Sequence, residues 1–405
     1  MRVLVLDIFS RMGLAVTNAL AGEHVIVGGA VGDRARRAER LLCSPKVSEV
    51  HRHPSPIRDP AGFDEAILRI CERARVEAVF PASTASAFAL SRLRARLGES
   101  PVVFVVEELA RLELLADKWK LYELCVELGI DAPPTVLPMG EGVAAARAME
   151  LPVIAKPRAA EASRGVLFVR TADELEDLLA HPRAVGTQLA PGEFPLILQE
   201  VLAGELHDAK GCAVEGRTVA MLTGRRLLTR HEFGGNGLVH EATHEPALAA
   251  LGSSLMARLG WNGPLDLECL LTADGRYVVL DANTRVWGSV HLSVLLGQNI
   301  PAMALDVFAR GETSPVTGTY PGGAVLRWRT LGSVSRCFRE PRSPRAVARR
   351  LNLLVGPRRH AYSDVCWGNY RHLGGLMLEN ATRRRRAAGP PSGRGVAGTG
   401  DRAGR

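Results

Sequence analysis

Lysine is the scarce residue of this chain, with five (Lys46, Lys118, Lys120, Lys156 and Lys210) against 46 arginines in 405 residues, so each lysine position carries information. The seven cysteines are scattered without a C-x-x-C pair. That excludes a zinc knuckle and a disulfide framework, and a reduced cytoplasmic setting is the expectation. No apolar run reaches the roughly 18 residues needed to span a bilayer, and the opening MRVLVLDIFS meets Asp7 too soon for a secretion signal. Neither a G-x-x-x-x-G-K-[ST] loop nor a G-x-G-x-x-G after the first apolar run is present. A P-loop and the usual dinucleotide fingerprint are thereby excluded.

Charge is also less informative than it looks. The net charge is +8, but seven arginines and one aspartate between 383 and 405 supply +6 of it. The body is close to neutral, which argues against nucleic acid as a partner. The tail is rich in Gly, Pro, Ala and Arg with nothing to bury, so it is expected to be disordered. With 46% hydrophobic residues, the remainder exceeds one ordinary core and implies two or three domains.

Residues 1 to about 105 alternate short apolar runs (Val3–Leu6, Val25–Val27, Ala78–Phe80, Val102–Val106) with helical stretches near 11–22, 61–75 and 85–97, the pattern of an open α/β sheet. One helical segment is expected over 107–129, ended by Gly129 and Pro133-Pro134. Leu265–Leu271 and Tyr277–Leu280 flank Ala273-Asp274-Gly275 and read as a β-hairpin. Antiparallel pairing brings Glu268 towards Asp281, with Asn283 facing the same way. Two carboxylates and a carboxamide are hard oxygen donors suited to Mg²⁺, although a solvated surface hairpin is the competing reading. Arg285 follows as a fork for a carboxylate or phosphate. Arg225-Arg226 is a second cationic pair, one member of which suits developing phosphate charge. His240-Glu241-Ala242-Thr243-His244 fits H-E-x-x-H, but three glycines before it and Pro246 after it put it in a strand or loop rather than on the helix a zinc peptidase requires.

The run D-A-N-T-R-V-W-G-S from Asp281 to Ser289 resembles the metal-binding end of the ATP-grasp superfamily, usually E-x-N-P-R, with Asp281 in place of Glu and Thr284 in place of Pro. The resemblance continues upstream. Lys118, in a D-K-x-x-x-y frame, and Lys156, in P-V-I-A-K-P, match the two nucleotide lysines. The stretch 158–165 stands where the family has a small-residue loop over the phosphates, which implies donors from Ser163 and Gly165. Gln199, Glu200, Val201 and Leu202 match the adenine hinge, and Glu205 the acidic residue that takes the ribose hydroxyls.

What the resemblance implies is an N-terminal Rossmann-like pre-ATP-grasp domain (1–105) followed by a two-lobed α+β ATP-grasp domain. Its lobes would be 106–195 and 196–310, the latter with the metal site, with a C-terminal extension over 311–382. The implied activity is ADP-forming ligation of a carboxylate to an amine through an acyl phosphate. It would use ATP and Mg²⁺ or Mn²⁺, with catalysis resting on Arg225, Arg226 and Arg285 and metal binding on Glu268, Asp281 and Asn283. The expected partners are small-molecule carboxylate and amine substrates, without nucleic acid or membrane, and a homodimer is compatible with this. Two other classes compete: a non-catalytic nucleotide-binding protein of the same fold, which the Asp281 and Thr284 departures allow, and a zinc peptidase built on His240–His244.

Overall fold

The apolar runs of the first hundred residues form a parallel sheet of five strands in the order β3-β2-β1-β4-β5. These are β1 (Arg2–Val5), β2 (Val25–Val31), β3 (Val47–His53), β4 (Ala78–Phe80) and β5 (Val103–Phe104), connected through α1 (Arg11–Leu20), α2 (Glu39–Leu42), α3 (Pro60–Arg73) and α4 (Thr84–Leu97). Helix starts follow local chemistry. Ser10, Asp59 and Ser83 cap α1, α3 and α4 by accepting from backbone N–H groups, and Pro60 occupies the first turn of α3. β3 escapes periodicity because its residues are mostly polar and only partly buried. This computed structural model describes residues 1–32, 39–160, 165–182, 195–231, 234–316, 318–329, 331–338 and 343–363. Ser163 and the tail 383–405 lie outside the described residues.

Next come α5 (Leu109–Ala116), α6 (Lys118–Leu128), β6 (Thr135–Val136), α7 (Gly142–Arg147), β7 (Val153–Pro157), β8 (Leu167–Val169), α8 (Ala172–Ala180) and β9 (Leu196–Glu200). Their strands make a small sheet in the order β6-β9-β7-β8. β9 therefore pairs within the first lobe, and the expected lobe boundary before Leu196 moves to after Glu200. The cause is non-local: Lys156 and Pro157 find their partners in Ile197 and Leu196, some forty residues on.

The second lobe is a seven-stranded sheet, β14-β13-β10-β11-β12-β15-β16. It comprises β10 (Glu205–Val214), β11 (Arg217–His231), β12 (Gly234–Thr243), α9 (Pro246–Leu259), β13 (Gly263–Leu271), β14 (Tyr277–Asn283), α10 (Val290–Leu295), α11 (Ile300–Arg310), β15 (Val325–Arg327), α12 (Leu331–Phe338), α13 (Pro344–Val355) and β16 (Ala361–Ser363). The segment after 310 is not an appendage, because β15 pairs with β12 and continues the sheet. The N-terminal domain and this lobe share their cores. Leu4, Phe63 and Ile67 cluster with Ala209, Trp261 and Leu267, all at most 1% exposed. Burying each of the larger of these side chains contributes roughly 1.5–3 kcal/mol, so the junction is a continuous part of the core. No helix among the described residues is long and apolar enough to cross a membrane.

Candidate functional site

The helical segment expected over 107–129 is two helices, and the break places the first lysine. Asp117 leaves the helical region (φ −85°, ψ 114°) and accepts from Trp119 N at 3.0 Å, capping α6. It also binds the buried Arg158 at 2.5 and 3.1 Å. Capping starts a new helix whose first residue is Lys118. The Lys118 ammonium donates to Ala160 O at 3.1 Å and lies 3.2 Å from Asp281 Oδ2, across the gap between lobes.

Lys156 lies on β7 and donates to Gln199 Oε1 on the neighbouring β9. Gln199 Nε2 in turn donates to Thr135 Oγ1 at 3.0 Å, and the Thr135 hydroxyl to Pro133 O at 2.7 Å. This chain of donors fixes which way the amide points. Burial, helped by the charge of Lys118 and opposed by Asp281 and Glu268, brings the Lys156 ammonium down to about 8. Past Glu200 the chain leaves one sheet and enters the other at Glu205, and Val201 and Leu202 line the cleft at this crossing. Glu205 faces solvent, 3.6 Å from Arg225 Nη1. Gly165 adopts φ +76°, open to glycine at no steric cost, and is not among the residues lining the cleft.

The hairpin adopts its expected register: Glu268 opposes Asp281 and Asp266 opposes Asn283. Asn283 Nδ2 donates to Glu268 Oε1 at 2.9 Å and to Asp266 Oδ2 at 3.2 Å. β10 adds a partner that the motif did not reveal, since Asp208 opposes Glu268 from the other side. Asp208, Asp266 and Glu268 bring carboxylate oxygens within 4.8 Å of one another. Two cations hold them. Lys210 Nζ is 2.8 Å from Asp208, and Arg226 Nη2 lies 2.5 Å from Asp208 and 2.8 Å from Glu268. Burial works against ionisation of Asp208, yet Arg226 and Lys210 hold it well below the usual carboxylate range. Asp266 goes the other way: burial and then the charge of Asp208 push it up to about 8. The three neighbouring carboxyls are thus driven apart, Asp208 towards the ionised form and Asp266 towards the protonated one. The scarcity of Lys210, and acids spaced by two on apolar strands, were the signals available in the sequence.

Of the cationic pair, Arg226 is buried in this network, while Arg225 is 41% exposed and binds Glu241 Oε2 at 2.6 Å. Both line the cleft. Arg285 does not. Its Nε donates to Thr84 Oγ1 at 3.2 Å and its Nη1 to Val286 O at 2.8 Å, at the junction with the N-terminal domain.

The cleft measures about 930 Å³, and Lys118, Lys156, Arg225, Arg226, Glu268 and Asp281 all line it. Arg349, Asn352 and Leu353 of α13, with Arg358 just beyond, close one side.

His240–His244 lies on β12 and its exit, not on a helix. In a strand the two histidines stand roughly 13 Å apart along the chain. The His240 ring is buried against Gly237, His244 stacks on Tyr320 at 4.5 Å, and Glu241 is held by Arg225. The zinc-peptidase arrangement is absent.

The profile of a family described as "ATP-grasp in the biosynthetic pathway with Ter operon" matches residues 193–329. No curated protein sequence matches the chain. Among solved structures, the biotin carboxylase domain of Hydrogenobacter thermophilus 2-oxoglutarate carboxylase, in complex with MgADP, ADP and bicarbonate, is similar at a TM-score of 0.60 and 16% identity, covering 80% of this chain and 73% of that one. Biotin carboxylase from Campylobacter jejuni gives 0.61 and 15%, covering 80% and 74%. The L-amino acid ligase from Bacillus licheniformis gives 0.58 and 14%, covering 78% and 77%. Residues 193–329 thus match an ATP-grasp family, and the chain shares its fold with the biotin carboxylase and amino-acid ligase structures.

Proposed function

We propose that the protein is an ATP-dependent, ADP-forming ligase that activates a substrate carboxylate as an acyl phosphate and joins it to an amine. The observation that carries this reading is convergence. Lys118 and Lys156 from one lobe, and Glu268, Asp281 and Arg225 from the other, line a single cleft crossed by the 201–204 connection. In this reading Val201 and Leu202 take the adenine face and the connection's backbone takes its polar edge. Lys156 and Lys118 take the phosphates, and Glu205 accepts from the ribose. Similar structures with MgADP and with amino-acid ligase activity support the class of reaction without naming the substrates.

The residues fit a hard divalent cation. Glu268 and Asp281 face each other from paired strands at the cleft, Asn283 stands beside them, and Asp266 Oδ1 is a buried oxygen without a donor. Glu268, Asp281 and Asn283 would hold Mg²⁺ or Mn²⁺, which supplies neutralisation of charge on the transferred phosphoryl oxygens. The chain's own contribution is positioning and charge. The lysines hold the phosphates in line, Arg225 neutralises charge as it develops, and closure of the lobes excludes water from the acyl phosphate. No protein nucleophile is required. The test is a matrix of carboxylates and amines assayed for ADP release, with mass spectrometry of products. ATP binding without ADP release for any pair would favour the non-catalytic alternative.

A further inference from the structure

Arg327 is 1% exposed, at the end of a strand inside the sheet. Its neighbour two residues back, Val325, packs with Val239, Cys337 of α12 and Leu354 of α13. The two-residue period puts the Arg327 side chain on that same face. Other buried arginines meet acceptors: Arg158 meets Asp117, Arg226 meets Asp208, and Arg285 meets Thr84 and the Val286 carbonyl. Among the described residues Arg327 meets no carboxylate, and its Nε and Nη2 are buried without a hydrogen-bond acceptor. Burial, and then the guanidinium groups of Arg329 and Arg358, disfavour its charge, and among the described residues no carboxylate counters them. A buried, unpaired charge is costly, so the arrangement is complete only with an anion.

The geometry of the free donors narrows the anion. Nε and Nη2 share one edge of the guanidinium, the edge that meets two oxygens of a carboxylate or phosphate side by side. Arg358, close enough to Arg327 for its charge to be felt there, also lines the cleft, together with Arg349 and Asn352. We propose that Arg327, assisted by Arg329 and Arg358, is the receptor for an oxyanionic group, carboxylate or phosphate, of the second substrate, entering beside the nucleotide cleft. Only the assignment of the anion to a substrate rests on the ligase reading. The receptor itself stands on Arg327.

The test is thermal unfolding of the full chain at constant ionic strength in sodium chloride, inorganic phosphate or malonate. Wild-type protein is expected to show a saturable rise in melting temperature with phosphate, malonate or both, retained in Lys156→Met, where the nucleotide phosphate site is impaired. A response to malonate alone identifies a carboxylate, and one to phosphate alone a phosphorylated substrate. Arg327→Met should abolish the saturable response while melting no lower than wild type in chloride. Arg358→Ala, at an exposed position that folding tolerates, should weaken the apparent anion affinity about tenfold. No saturable response in wild type, or an undiminished one in Arg327→Met or Arg358→Ala, overturns the proposal. Loss of the ligase reading would show instead as absent ATP binding or turnover, with the anion response intact.

Discussion

Lys156 Nζ donates to Gln199 Oε1 across β7 and β9, and the Gln199 amide is locked by Thr135. The ammonium is therefore fixed in the cleft by folding alone, which would lower the reorganisation cost of binding the proposed nucleotide. Lys156→Met should weaken ATP binding by roughly 1.5–3 kcal/mol, the size of a charge-assisted contact. Calorimetric affinity equal to wild type would remove Lys156 from the nucleotide site.

The same lysine gives a pH signature. Unfolded, it keeps its proton to roughly 10.4, whereas burial lets it go near 8 in the free protein. Between those values the unfolded state binds more protons, so this residue's destabilising contribution, complete below about 8, is relieved as pH rises. Stability of wild type minus that of Lys156→Met should increase from pH 8 towards 10. ATP affinity should move oppositely, falling as the ammonium deprotonates. Urea titrations at several pH values, with parallel ATP titrations, test both slopes; a flat difference denies the burial effect.

Arg226 and Arg225 are adjacent in sequence but unequal in role. Arg226 compensates the fully buried Asp208 and the partly buried Glu268, so Arg226→Met leaves buried charge behind and should cost about 3–5 kcal/mol of stability. Arg225 is half-exposed, and Arg225→Met should cost no more than about 1 kcal/mol while reducing turnover. Equal losses of stability in the two variants would contradict this division.

The placement of the candidate residues was legible where residue type and local spacing confine it: scarce lysines at a helix start and a strand end, and acids flanking a Gly-containing turn. What pairing adds was not legible. Asp208 joins Glu268 only because β10 docks beside β13, and β9 joins β7 across a long intervening segment. The break at Asp117 depended on a buried partner, Arg158, forty residues away. α13 reached the cleft through an amphipathic pattern that states burial but not destination. The same limit hid the placement of Arg285, whose local motif says fork but not which group the fork meets.

The H-E-x-x-H segment should bind no zinc. His240 is buried where the charges of Lys210 and Arg226 oppose a further cation, and His244 is engaged with Tyr320. Elemental analysis of protein purified without added metal is expected to find none in stoichiometric amount, unchanged by His244→Ala. One zinc per chain would reverse this conclusion.

Asp281 sits at the meeting point of the lobes, opposite Glu268 in the hairpin and 3.2 Å from Lys118 across the cleft. Its carboxylate can serve a cation in either form, the ammonium before nucleotide arrives or a divalent metal afterwards. Asp281→Asn removes one of two facing anions but leaves the lysines and the 201–204 connection in place. Nucleotide affinity should therefore change little, while turnover falls by several powers of ten. Charge on the phosphoryl group is greatest in the transition state, where a metal contributes several kcal/mol. Asp281→Glu restores the charge on a longer side chain. Its Oδ1 now accepts from Ala282 N at 2.9 Å, a contact tied to the shorter chain, so partial rather than full activity is expected. Steady-state rates against magnesium concentration, with ATP affinity measured separately, distinguish these effects. Wild-type turnover with unchanged magnesium dependence in Asp281→Asn would exclude this carboxylate from the metal site.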